Sequence, residues 1–81
     1  MTLFLYKIWQ DVNHDPDTYD SAVVCAKNAD EAKQISIDVF VKPYCYDYSA
    51  WTTIDNIQCE MIGSACKNMT EGIVVSSFNA G

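Results

Sequence analysis

The residues that could do chemistry gather in one stretch, "QDVNHDPDTYDS" (10–21). It brings Asp11, Asp15, Asp17 and Asp20 together with Asn13 and His14, the only histidine of the chain. The alternation Asp11-x-Asn13-x-Asp15-x-Asp17 has the oxygen-ligand spacing of a calcium loop, which also needs glycine at its sixth position and a bidentate glutamate at its twelfth. Pro16 and Ala22 stand at those positions, so the stretch reads as a hairpin loop built on Asn, Asp and Pro turn chemistry. As a catalytic centre it would pair His14 with a nucleophile from Ser21, Ser76, Ser77 or a cysteine. No nucleophile elbow, H-E-x-x-H, P-loop or dinucleotide fingerprint frames such a pair. Cys25, Cys45, Cys59 and Cys66 have no C-x-x-C spacing and read as small hydrophobes. The expectation is a protein that is not an enzyme, with no metal and no cofactor.

The aromatic residues point elsewhere. "YCYDY" and Trp51 fall in an irregular segment, and loops carry binding function. Aromatic faces stack planar rings such as nucleobases. The terminal "SSFNAG" adds Phe78 as an apolar anchor, with Ser76, Ser77 and Asn79 as hydrogen-bonding groups. These features suit a small-ligand pocket and a protein-binding face equally.

Composition narrows the partners. The 81 residues make one domain, residues 1–81, with 49% hydrophobic residues and a formal charge of −6. There are five lysines and no arginine, so the chain lacks the basic face that phosphate-backbone binding requires. Direct nucleic-acid binding is disfavoured. The acidity suits either simple solubility or a surface that imitates nucleic acid in a basic groove. No apolar run approaches the ~18 residues needed to cross a bilayer, and "MTLFLYKIW" lacks the basic and long apolar regions of a signal peptide. The expected place of action is the cytoplasm, away from membranes.

The elements that must position these residues follow from periodicity. "LFLYKIWQ" (3–10) is apolar on both faces, as a central strand is. "SAVVCAK" (21–27) is a second strand rich in β-branched and small residues. "NADEAKQIS" (28–36) is a short helix with Asn28 as N-cap and Glu31 at the capping-box position. Residues 37–54 form an aromatic excursion. It begins with a short alternating strand at Ile37, Val39 and Val41, is broken by Pro43, and carries one helical turn near Ser49. Strands over 55–65 and 73–81 flank a turn at "KNMTEG", where Gly72 takes positive φ. The order β-β-α-excursion-β-β predicts an α+β fold, a small, mainly antiparallel sheet with one short helix.

"DTYDSAVV" (17–24), "ADEA" (29–32), Trp51, "IGSA" (62–65) and "SSFNAG" (76–81) together resemble a family of very small uncharacterised bacteriophage and prophage proteins. The resemblance covers most of the chain except residues 36–50. It implies a counter-defence role in the host bacterial cytoplasm. One form is a homo-oligomeric sponge that sequesters a nucleotide-derived host immune signal. Its ligand-binding residues would be Asp17, Tyr19, Asp20, Ser21, Trp51, Ser76, Ser77, Phe78 and Asn79, with Lys7, Lys27 or Lys42 meeting the phosphates. The second is an anti-CRISPR-type inhibitor that binds a host defence protein directly, with Asp11, Asp15, Asp17 and Asp20 as phosphate surrogates. The third is a structural or accessory component without a ligand.

Overall fold

A computed structural model of the chain describes residues 2–14 and 17–79, for Asn79 the backbone alone. Four strands form one antiparallel sheet: β1 (Phe4–Trp9), β2 (Thr18–Ala26), β3 (Gln58–Ser64) and β4 (Gly72–Asn79). Their order across the sheet is β3-β1-β2-β4, so the strand that is apolar on both faces lies centrally. The α+β fold and its element order are those the sequence predicts. One sheet face is covered by helix α1 (Ala29–Phe40) and the excursion after it. Tyr6 and Ile8 of β1 and Ala22, Val24 and Ala26 of β2 point into this core, at the period of two expected of strands.

Helix α1 starts where its cap predicts, with Asn28 Oδ1 accepting from the Glu31 amide at 2.9 Å. It does not stop at residue 36. The expected strand at Ile37, Val39 and Val41 is instead the last turn of the helix and its C-cap. The physical reason is the helical stripe Ala32, Ser36, Ile37, Phe40 and Val41, at positions i, i+4, i+5, i+8 and i+9, all buried. Val39, which β-alternation would bury, is exposed. Pro43 has no backbone N–H to continue the helical ladder, and the chain turns off into a 3-10 turn at Lys42–Tyr44.

The excursion continues through 3-10 turns at Tyr48–Ala50 and Ile54–Asn56, the first at the place predicted near Ser49. It is held by Trp51, which is 0% exposed. The indole meets Phe40 edge-on at 5.3 Å between centroids, and its Nε1–H donates to Ser36 Oγ at 3.0 Å. The Ser36 hydroxyl in turn donates to the Lys33 carbonyl at 2.6 Å. Each buried polar group in this chain of contacts has its partner, as buried groups must.

The cysteines divide. Cys25 is buried and Cys59 partly so, as small hydrophobes are, whereas Cys45 and Cys66 are exposed and all four are free thiols. Burial pushes the Cys59 thiol above its usual titration range.

Ser36→Ala should cost about 1–3 kcal/mol, because it strands the buried indole N–H without an acceptor. Urea unfolding followed by Trp fluorescence measures this, and an unchanged midpoint would show that the bond is not needed.

Candidate functional site

The acidic hairpin loop is organised from within by Gln10. Its side-chain Oε1 accepts from the amides of Val12 and Asn13 at 2.9 and 2.7 Å. Its Nε2 donates to the carbonyls of Asn13 and Tyr19 at 2.7 and 3.1 Å. With Gln10 only 5% exposed, these bonds satisfy both ends of its buried side-chain amide. Asn13 then reaches across the molecule, its Nδ2 donating to the carbonyls of Ser49 and Trp51 at 2.8 and 3.0 Å. The loop and the excursion are thereby fastened to each other. His14 Nε2 lies 2.8 Å from the Asp11 carbonyl, and Asp11 Oδ2 accepts from Gln58 at 3.2 Å. Asp15 and Pro16 of the calcium-like spacing lie outside the described residues. Among the described residues no group of three or more His, Cys, Asp and Glu is placed to hold a metal ion. No helix among them is long and apolar enough to cross a membrane.

A register shift aims the next residues. Ser21 pairs with Ser77 and Tyr19 with Phe78, which leaves Asp20 as the extra residue of a β-bulge. Strict alternation from Ala22 would have turned Asp20 into the core. The bulge keeps Asp20 exposed and turns Tyr19 toward the helix, where its ring stacks on Phe40 at 3.9 Å and 12°. Phe78 meets the same tyrosine edge-on at 4.9 Å.

Beside these rings lies a cavity of about 300 Å³, open to solvent and lined by Asp17, Tyr19, Phe40, Tyr44, Asp47, Ser49, Ala50 and Phe78. Tyr44 is 65% exposed and Phe78 48%. Asp47 caps its own turn by accepting from the Ser49 amide at 2.9 Å. That bond, reinforced by the Ser49 hydroxyl, holds the Asp47 carboxyl below its ordinary value of 3.8. The backbone that carries the wall is strained: Cys45 and Tyr46, between Tyr44 and Asp47, take φ of 57° and 59°, and Asp17 takes 62°. Left-handed backbone costs a non-glycine residue about 1–2 kcal/mol.

The predicted site residues do not all meet. Asp17, Tyr19 and Phe78 line the aromatic cavity. Ser21, Ser76 and Ser77 border a separate depression with Lys7, Val23 and Val75. Asp20 borders an open hollow with Lys7, Trp9 and His14. Trp51 is a correction: wholly buried and hydrogen-bonded to Ser36, it forms the floor under the excursion and presents no face to a ligand. Asn79 pairs with Thr18 through the backbone register, and its side chain lies outside the described residues, as does Gly81. The lysines expected at phosphates do not border the aromatic cavity either. Lys27 pairs with Glu71 at 3.6 Å, and Lys7 stands 5.6 Å from the Trp9 ring. Phe40, Tyr44, Asp47, Ser49 and Ala50 line the cavity but are not among the site residues predicted from the sequence, although Tyr44 and Asp47 fall in the aromatic "YCYDY" segment. Helical spacing marks Phe40, and Asp47-x-Ser49 is a capping pattern visible in the sequence. The chain matches no protein-family model, no curated protein and no solved structure.

With its folded-state titration depressed, Asp47 contributes stability that is present above pH 3.8 and lost as pH falls through the lower folded value. A carboxyl NMR titration should give a midpoint below 3.8, and one above it would remove the Ser49 bonds as its cause. Cys45→Gly should stabilise the fold by roughly 0.5–1 kcal/mol, the relief of left-handed strain less the added glycine entropy. A lowered denaturation midpoint would contradict this.

Proposed function

We propose that the chain is a non-catalytic phage counter-defence protein that sequesters a nucleotide-derived host immune signal in the host cytoplasm, with the aromatic cavity as its site. One observation carries this reading. The cavity joins Asp17 and Tyr19 of "DTYDSAVV" to Phe78 of "SSFNAG", the motifs at opposite ends of the chain, and adds Tyr44 and Asp47 of the excursion. Stacking of a base on an aromatic ring is worth about 1–3 kcal/mol. The carboxylates supply acceptors for base and ribose donors. A sponge needs no more than this, because it acts by lowering the free concentration of its ligand.

The same reading has the protein act as a homo-oligomer. β4 is an edge strand of eight residues with no charged side chain and no proline, the kind of edge that soluble proteins otherwise blunt. A second reading, direct inhibition of a defence protein by acidic mimicry, is favoured by the exposure of Asp11, Asp17 and Asp20 around one hairpin. In that case Asp11→Asn and Asp17→Asn together weaken partner binding at low salt, and unchanged affinity removes it.

Native mass spectrometry of the protein from cells with active nucleotide signalling tests the first reading. The expected result is an oligomer that releases one nucleotide-derived molecule per chain on denaturation. Tyr44→Ala, which removes an exposed ring outside the core, should lose that molecule while staying folded by circular dichroism. Wild-type protein that carries nothing from such cells would overturn sequestration.

A further inference from the structure

The cavity's charge and size restrict which part of a nucleotide it takes. Both ionisable groups on its wall other than tyrosine are carboxylates, Asp17 and Asp47. Among the described residues lining it there is no lysine, and the chain has no arginine. Backbone amides can hold phosphate where they converge. Here the Ser49 amide is already donated to Asp47. A phosphate monoester carries a charge of about −1.5 to −2 near neutral pH and would meet two carboxylates and no cation among the described lining residues, with only the neutral hydroxyls of Tyr19, Tyr44 and Ser49 as side-chain donors.

The space points the same way. At about 300 Å³ the cavity stands at the lower end of ligand sites, room for one ring system and its sugar. Tyr19 already has one face against Phe40, so the ring area left for a ligand is mainly that of Tyr44 and Phe78. Two rings with exposed area and two carboxylates, each with several lone pairs, match a flat heterocycle that carries N–H donors, joined to a sugar that carries O–H donors.

We infer that the cavity selects the nucleoside moiety of its ligand and excludes phosphate, so that the phosphates of any larger nucleotide stay outside it. This rests on the sequestration reading and adds to it the chemical class that the site distinguishes. An unphosphorylated nucleoside is then a tighter occupant than the matching nucleotide, the reverse of the order in a phosphate-cradling site.

Isothermal titration calorimetry of the full chain with the four ribonucleosides and their 5′-monophosphates, at low salt and pH 7, tests this. At least one nucleoside should bind at least tenfold more tightly than its monophosphate. Asp47→Asn retains an acceptor for the Ser49 amide and should narrow that gap several-fold, as should raised salt. A monophosphate that binds as tightly as its nucleoside overturns the exclusion of phosphate and leaves sequestration standing. A gap unmoved by Asp47→Asn and by salt overturns the electrostatic cause. Failure of both series to bind overturns this inference together with the aromatic cavity as the ligand site.

Discussion

Trp51 is the point from which the cavity side of the molecule hangs. Its ring fills the space against Phe40, and its N–H is fixed to Ser36 of the same helix. An indole brings a large apolar surface and one obligatory donor, so it can be buried only where an acceptor waits. Ser36 provides that acceptor because the helix runs four residues beyond it, to Phe40, and carries both contacts on one face. Residues 42–50 leave the helix and return to Trp51, and Tyr44, Asp47 and Ser49 lie within that span. The cavity wall is therefore a loop pinned at both ends by the core. A wall so held can keep left-handed backbone at Cys45 and Tyr46, strain that a loose segment would relax.

A second fastening makes the opposite wall. Gln10 closes the hairpin loop on itself, and Asn13 ties that loop to the Ser49 and Trp51 carbonyls. The bulge at Asp20 then turns Tyr19 inward beside Phe78. These devices are local, but they converge: the loop is bonded to the excursion, the excursion to the helix, and the helix ring Phe40 to Tyr19. In a chain too short for a deep core, such cross-links compensate for limited buried area.

Much of the fold was legible because its signals are local. Asn28 and Glu31 announce the helix start, the two-faced apolar run of β1 announces a central strand, and Gly72 has the positive φ expected of it, at 143°. The helix end was misread because Ile37, Val39 and Val41 satisfy a period of two as well as Ile37, Phe40 and Val41 satisfy a helical one. Only the depth of the core beside them decides which is used. The site was half legible. Its two motifs contain Tyr19 and Phe78, but alternation alone places Tyr19 on the wrong face. The bulge that corrects this depends on pairing with β4, more than fifty residues away along the chain. Trp51 was misassigned for the complementary reason: an aromatic residue in an irregular segment resembles a ligand contact until its donor is seen to be satisfied by Ser36.

The division of labour among the rings follows from which faces are already used. Phe40 is buried by the helix, Trp51 and Tyr19, and Tyr19 spends its ring on Phe40 and Phe78. These three are scaffold first, and truncating any of them would unsettle the core before it altered binding. Tyr44 and Phe78 retain exposed ring area, one from the excursion and one from the last strand. A ligand between them would bridge the two segments that the core holds only indirectly. Binding energy gained there would accordingly appear as added stability of the excursion and of the β4 edge, since anything that binds only the folded form draws the equilibrium toward it.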